Sequence, residues 1–353
     1  MFRPLLIVLL LSGCASVTTN VVSDGTPTRV TLDGACPEMH VLYTCTMGEG
    51  ALHIISVAPG YNGAMGPYPP LKLILQTGSL LVTKFYIPDA QGPLEIDATS
   101  CADCTVRLDS AYVSSSYDAS RDWTSATPED EGIYIRASTS TTVHLNFTTL
   151  GAFAQAVLVE GGRDVTVEKL ILLGCDHGVE VRGSKQLTIL DTHAFGCRGN
   201  AFHINDVQVW ELSSSSVEET ATGILVDGRD DQVGSIQNFK TLSGTQADLD
   251  LRAGVISITD SRFSNTAGRP TDAGCPGGAI CVGASATVEV HASRFIATAP
   301  FALHAAAIVD ATDNYWGGPV GPSPDAIPPE ASNRLNVGGK VTPNVQYVPY
   351  RQT

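Results

Sequence analysis

The chain is poor in basic residues, in methionine and in histidine, and each shortage argues against a class of function. Its 353 residues carry 21 lysines and arginines against 36 aspartates and glutamates, a formal charge of −15 at pH 7. Such a surface repels polyanions, so no nucleic-acid partner is predicted. The four methionines and eight scattered histidines form no metal-binding tract. The sequence therefore predicts no metal ion and no other cofactor.

The 3.6-residue spacing of amphipathic helices is also absent. Instead, short triplets recur in which two apolar residues flank a central residue of varied type. In the second half of the chain they start at residues 157, 179, 202, 224, 249 and 280, which are 22, 23, 22, 25 and 31 residues apart. A repeat of this length built on strand-like triplets predicts a stacked β-solenoid.

Each repeat contains further strand-like segments. Earlier triplets start at Leu71, Leu94 and Ile133, and the longer step before Ile133 predicts an inserted loop over residues 114–131. After each later triplet comes a second alternating strand, exemplified by Val165–Val167 and Val207–Val209. A third apolar point then follows, and the residues predicted to occupy it are Leu170, Phe195, Phe239, Phe263 and Phe295. Alternation places the first and third residues of a triplet inward and the central one outward.

The last repeat of the chain resembles a known family. Residues 310–322, which include Asn314-Tyr315-Trp316-Gly317, resemble the last coil of many right-handed parallel β-helix proteins of the pectate-lyase-like superfamily. Val57-Ala58-Pro59-Gly60-Tyr61 resembles their first coil. The resemblance implies an all-β, right-handed, single-stranded parallel β-helix of about ten coils, with an N-terminal cap and a C-terminal tail. It implies no activity, because this fold hosts lyases, hydrolases, adhesins and non-enzymes.

The N-terminus has the features of an export signal. Arg3 precedes an apolar segment too short for a membrane-spanning helix, and Leu11-Ser12-Gly13-Cys14 resembles the bacterial lipobox, whose cysteine becomes lipidated. By resemblance to Gram-negative sorting, Ala15 favours the outer membrane, in contact with the periplasm or the cell surface. We therefore predict four regions. These are a signal peptide (1–14), a tether and cap (15–51), the β-helix (52–322) and a tail (323–353).

Eight cysteines remain once Cys14 is lipidated, and an even number in an exported chain suggests disulfides. Cys175 and Cys197 lie one period apart, before successive triplets, and stacked strands bring such positions within disulfide reach. The other predicted pairs join the nearest cysteines along the chain. They are Cys275 with Cys281, Cys36 with Cys45, and Cys101 with Cys104.

The outward residues of the triplets are the candidates for binding a ligand. Glu180 and His203 occupy successive triplets and form the candidate acid–base pair, although an exposed Glu–His pair without function has the same pattern. Tyr134 and Asp250 are binding candidates on the same row. A second row at the coil edge contains Asp176 and Arg198, with Glu219 one period on. Alternating charges of this kind equally describe a salt-bridge ladder.

Two functions follow from these residues. The first is a lipoprotein, anchored in the membrane, whose rigid β-helix is a non-catalytic binding or structural module for a glycan or a surface protein. The alternative is a polysaccharide lyase or glycoside hydrolase acting around Glu180 and His203, and calcium would enter only with the lyase. Pieces such as Asp176-His177-Gly178 resemble polygalacturonase motifs, but the complete set is missing. Whether the protein is an enzyme is left open by the sequence.

Overall fold

A computed structural model gives the architecture of the chain. It describes residues 7–9, 17–21, 28–33, 42–48, 51–57, 71–83, 86–90, 93–115, 131–146, 148–264, 277–296, 301–317, 322–324 and 340–348. The chain divides into a first unit, Met1–Leu187, and a second unit, Thr188–Thr353. The regular elements described in both are β-strands.

The strands are between two and fourteen residues long. Up to the end of the thirteenth they are β1 (Ile7–Leu9), β2 (Val17–Val21), β3 (Thr28–Asp33), β4 (Leu42–Gly48), β5 (Ala51–Val57), β6 (Leu71–Thr77), β7 (Ser79–Thr83), β8 (Tyr86–Ala90), β9 (Leu94–Ala98), β10 (Thr105–Asp109), β11 (Tyr112–Ser115), β12 (Glu131–Ala137) and β13 (Thr142–Asn146). The next are β14 (Thr149–Gly161), β15 (Asp164–Glu168), β16 (Ile171–Arg182), β17 (Gln186–Leu190), β18 (His193–Phe195), β19 (Asn200–Asn205), β20 (Val209–Ser213), β21 (Ser216–Glu218), β22 (Thr222–Asp227), β23 (Val233–Gln237) and β24 (Lys240–Leu242). The last are β25 (Ala247–Thr259), β26 (Arg262–Phe263), β27 (Gly278–His291), β28 (Arg294–Phe295), β29 (Leu303–Ala305), β30 (Val309–Asp310), β31 (Ser323–Pro324), β32 (Lys340–Val341) and β33 (Val345–Gln346).

In the first unit the triplets stack in the register that the sequence predicts. Leu94 is opposite Leu71 and Ile133, and Val157 is opposite Ile133 and Val179, all in parallel pairs. The inward residues of β9, β12 and β14 are buried. Each buried Leu, Ile or Val contributes about 1.5–3 kcal/mol to folding. The predicted solenoid is confirmed here.

The second unit repeats the arrangement. Phe202, Ile224, Leu249, Ile280 and Leu303 face one another along five successive parallel strands. These inward side chains are all fully buried. The tail continues the same stacking, because β32 pairs with β29 and β33 pairs with β30. The apolar triplets thus form one continuous row of core residues within the unit.

The turn before the third strand has one residue in the left-handed region. Asp191, Ser214, Asn238, Asp260 and Ala292 have φ between 51° and 59°. The residue that follows is buried and is a Ser or Thr in several coils, whose hydroxyl accepts the backbone N–H of the neighbouring coil. The hydroxyl of Ser293 accepts from the N–H of Ser261 at 3.1 Å. The hydroxyl therefore accepts the backbone N–H that would donate to a backbone carbonyl of the neighbouring coil if the turn did not interrupt the strand pairing.

The coil count and two positions differ from the sequence prediction. The parallel β-solenoid has about eight turns rather than the ten that the sequence predicts. Phe195 is exposed, since Ala194 takes the inward position of β18. Val209 is exposed as well, because Trp210 takes the inward position of β20.

Several sequence predictions fall largely or wholly on residues outside those described. The lipobox with Cys14, Cys36, Cys275 and the tip of the inserted loop are among them. Within the predicted signal peptide, β1 is described and pairs antiparallel with β4. Within the predicted tether and cap, β2 and β3 form an antiparallel pair. The region boundaries remain predictions.

Candidate functional site on the triplet face

The central residues of the triplets form a row on each unit, as predicted. In the first unit, Tyr134 is opposite Glu95 and Leu158, and Leu158 is opposite Glu180. In the second unit, Leu225 is opposite His203 and Asp250, and Asp250 is opposite Cys281. We call these two rows the triplet faces of the units. A parallel ladder spaces the members of each row by about 4.8 Å.

The triplet faces are less open than the sequence suggests. Glu180, Leu225, Asp250 and Cys281 are outward by register, yet each retains less than a tenth of its accessible surface. For the two acids the cause includes an arginine two residues further along the same strand, on the same side of the sheet.

A network of charges joins three coils of the first unit. The Arg136 guanidinium donates to Glu95 Oε1 at 2.7 Å and to Asp97 Oδ2 at 2.8 Å. The Tyr134 hydroxyl donates to Glu160 Oε2 at 2.6 Å. Burial raises the pKa of Tyr134 to about 12, and the hydrogen bond and negative charge of Glu160 add to the effect. The phenol is therefore a hydrogen-bond donor, and not a base, at neutral pH.

Glu180 lies in the continuation of this network. Arg182 donates from Nε to Glu180 Oε1 at 2.6 Å, and its NH1 is 3.4 Å from Glu160 Oε1. The hydrogen bond to Glu180 is the largest factor that raises the pKa of Arg182. The carboxyl of Glu180 thus lies beside a permanent cation.

The triplet face of the second unit also contains an acid paired with an arginine two residues further along its strand. Arg252 donates from both Nε and NH2 to Asp250 Oδ2, at 3.1 and 2.8 Å. His203 Nε2 is 3.0 Å from Asp227 Oδ1, in the next coil. A histidine held by a carboxylate in this way has a defined ring orientation. It is the feature of the face that most resembles a prepared general base.

Asp176 is half-buried in β16, and Arg198 is exposed between β18 and β19. Glu219 is exposed in a left-handed turn. The charge ladder that the sequence suggests for these residues stays a prediction.

Five cysteines are disulfide-bonded in the described part. Cys101 and Cys104 are joined to each other, with their Cα atoms 5.8 Å apart. Cys175, Cys197 and Cys281 are each disulfide-bonded as well. The pairing proposed for these three stays a prediction.

Sequence reasoning missed the ionic partners of the triplet face. Arg136, Glu160, Arg182, Asp227 and Arg252 all lie two residues beyond the centre of a triplet, so they share its face. The sequence contains this signal, because the residue directly after the triplet is charged in most coils. The sequence does not show which carboxylate each arginine selects.

No cluster of three or more His, Cys, Asp or Glu suited to a metal ion occurs among the residues that the structure describes. The same part of the chain contains no helix long and apolar enough to cross a membrane.

Comparison with known proteins supports the fold. Residues 98–240 match a family model described as a right-handed beta helix region. No curated protein and no solved structure matches the chain. Together with the parallel stacking in each unit, this match identifies the repeat domain as an all-β parallel β-solenoid of the right-handed β-helix type.

Proposed function

We propose that the protein is an exported lipoprotein, anchored at the outer membrane through Cys14, whose β-helix is a non-catalytic binding module for a glycan or protein partner. The order of Arg3, the apolar segment and the lipobox supports export and lipidation. A lipid anchor with more than one acyl chain holds a protein stably at a membrane. A rigid solenoid then presents its sheets to partners at a fixed distance from the anchor.

One observation carries the non-catalytic part of the proposal. Glu180, the carboxylate of the candidate acid–base pair, and Asp250, a binding candidate, are buried in ion pairs with Arg182 and Arg252. A general acid or base must reach the substrate and must exchange a proton near the working pH. A carboxylate that is buried against a guanidinium group has little access to a substrate. Each of these ion pairs joins two residues of the same strand and neutralises the acid where it lies in the sheet.

The catalytic test uses the whole mature protein in detergent. It is incubated with uronate-containing polysaccharides, with and without calcium, and the unsaturated product of a lyase is followed by ultraviolet absorbance. Reducing-end assays on the same samples detect a hydrolase. We expect no product above a heat-denatured control. Sustained product formation by the native protein would overturn the proposal.

One observation favours the alternative, a polysaccharide lyase or glycoside hydrolase around Glu180 and His203. The imidazole of His203 is oriented by Asp227, and an oriented base is the usual feature of an active catalytic group. If product forms, His203→Ala and Glu180→Gln would decide whether this pair is responsible. Loss of activity in both variants, with unchanged folding, would establish the alternative.

Anchoring is tested separately. Expressed in a Gram-negative host, the wild-type protein should sediment with outer membranes, and its N-terminal peptide should carry the mass of an acylated cysteine. The variant Cys14→Ser should lose both properties. Equal sedimentation of the two proteins would show that the anchor is wrong.

A further inference from the structure

A row of cations runs along the third strand of successive coils in the second unit. Lys240 is opposite Arg262, and Arg262 is opposite Arg294, in parallel pairs about 4.8 Å apart. All three side chains are exposed. We call these three residues the basic column.

The basic column is unlike the rest of this acidic chain. Like charges directly opposite on neighbouring strands are destabilising. Elsewhere the described arginines are neutralised by a nearby carboxylate, as shown by Arg107, Arg136, Arg163, Arg182, Arg229 and Arg252. Among the described residues, no carboxylate lies within ion-pair distance of Lys240, Arg262 or Arg294. Three stacked cations without counter-charge are a cost that an anionic ligand would remove.

Hydrogen-bonding groups extend the column at both ends. Arg294 is opposite Tyr315, and its guanidinium carbon lies 5.9 Å from the centre of the Tyr315 ring. At the other end, Ser216 is opposite both His193 and Lys240, and His193 Nδ1 is 2.8 Å from the Ser216 hydroxyl. Six successive coils therefore present a polar or charged group at the same register position.

The support below the column is rigid. Phe263 and Phe295, which follow Arg262 and Arg294, are fully buried and stack with ring centroids 5.3 Å apart. Fixing the backbone in this way reduces the ordering cost that a ligand must overcome. The cations are thus held at a regular spacing before any ligand arrives.

We propose that the basic column, continued by Tyr315 and Ser216, binds a linear anionic polysaccharide lying along the row of coils. Guanidinium groups match the planar carboxylate, sulfate or phosphate of such a chain, and a phenol ring packs against sugar rings. The proposal rests on the binding role proposed above, and it places an anionic glycan on a face other than the triplet face.

The arrangement of the charges favours a linear polysaccharide over a planar membrane as the ligand. The neighbouring outward row contains Glu218 between Phe195 and Leu242, so the cations form a line with an acid beside it. A planar anionic membrane would approach that acid, whereas a linear chain need not. The net charge of −15 opposes larger polyanions such as nucleic acid.

The test compares two triple variants of the whole mature protein in detergent. K240Q/R262Q/R294Q removes the column, and K185Q/R163Q/R229Q removes the same formal charge from the exposed Lys185 and Arg163 and the half-buried Arg229. Binding is measured to immobilised hyaluronate and dextran sulfate, with neutral dextran as the polymer control. We expect the column variant to lose about tenfold in affinity, since each exposed charge pair is worth roughly two- to fivefold. The control variant should lose less than about twofold.

A second measurement separates binding from a structural role. Without ligand, the column variant should have a higher melting temperature than wild type, because the repulsion between neighbouring cations is gone. A lower melting temperature in the column variant would overturn the proposal. Equal loss of affinity in the two variants, equal binding to neutral dextran, or stronger competition by anionic lipid vesicles than by the polymers would overturn it too. Degradation of a polymer would instead overturn the non-catalytic function and leave the column intact.

Discussion

The indole of Trp316 stacks on the ring of Phe295 with centroids 4.5 Å apart and an angle of 5° between the planes. Phe263, in the preceding coil, also stacks on Phe295. Three successive coils therefore place an aromatic ring at one interior position. The segments Ser261-Arg262-Phe263 and Ser293-Arg294-Phe295 repeat the same order of residues. This stack fills the core at the third apolar point, where the sequence predicts that Phe263 and Phe295 point inward, and for these two residues the prediction is confirmed.

Replacing the central ring should be costly. Phe295→Ala removes a fully buried side chain between two other rings, and a change of this kind costs about 3–5 kcal/mol in free energy of unfolding. Urea denaturation monitored by tryptophan fluorescence measures it. The matched control is Phe195→Ala, whose ring is 39% exposed and whose loss should cost less than about 1 kcal/mol. Similar destabilisation by the two variants would contradict the stack.

The regular part of the fold follows from the sequence because strand alternation is local. A triplet such as Ile224-Leu225-Val226 shows its inward residues without any knowledge of its neighbours. The second strand around residue 209 did not follow. Val207 and Val209 alternate with a polar residue, yet Trp210 points inward because Gly234, opposite it in the next coil, leaves room for the indole. A side chain added at Gly234 would lie 2.1 Å from that ring. The sequence of one strand does not show that a glycine in the next coil makes room for its tryptophan.

The candidate site was partly predictable for a similar reason. Glu180, His203 and Asp250 were found because they are central in their triplets. The burial of Glu180 and Asp250 was not predicted, because it depends on the rotamers that the long side chains of Arg182 and Arg252 adopt. The spacing of two residues places each arginine on the same side of the strand as its acid, but it does not determine how far the arginine covers that acid.

Ala292 lies in a left-handed turn, and one substitution there should stabilise the protein. Ala292 has φ of 54°, where an alanine is strained by about 1–2 kcal/mol and where Asn or Asp is better tolerated. Asp260 and Asp313 occupy other left-handed turns of the unit. We expect Ala292→Asn to raise the free energy of unfolding by up to about 1 kcal/mol. Ala292→Val should lower it, since a β-branched residue is least tolerated there. The melting temperatures of the two variants should move in opposite directions.

Tyr134 should titrate about two pH units above an ordinary phenol. Its pKa is raised in the folded protein from 10.0 to about 12, so the stabilisation from its protonated form is complete below pH 10 and is lost as pH rises through 12. Glu160→Gln should bring the pKa back towards 10, because it removes the negative charge that accepts the phenolic proton. Alkaline titration of phenolate absorbance, with Tyr134→Phe to identify the residue, measures both. An unchanged titration in Glu160→Gln would contradict the assignment.

The ion pairs of the triplet face should differ in strength according to burial. Arg182→Ala leaves Glu180, 8% exposed, without its guanidinium partner, and we expect a loss of about 1–3 kcal/mol in free energy of unfolding. Arg163→Ala breaks the pair with Asp164, which is 41% exposed, and should leave the free energy of unfolding nearly unchanged because solvent screens the pair.

The double variant Arg182→Ala/Glu180→Gln distinguishes a structural pair from a poised acid. If Arg182 serves to neutralise Glu180, replacing the charged acid by its neutral isostere should recover part of the stability that Arg182→Ala loses, because the buried charge is gone. Urea denaturation of the four proteins at pH 7 gives the coupling energy. Losses that simply add would mean that Glu180 and Arg182 do not stabilise one another. The carboxyl would then be available for chemistry, and the case for a non-catalytic face would lose its main support.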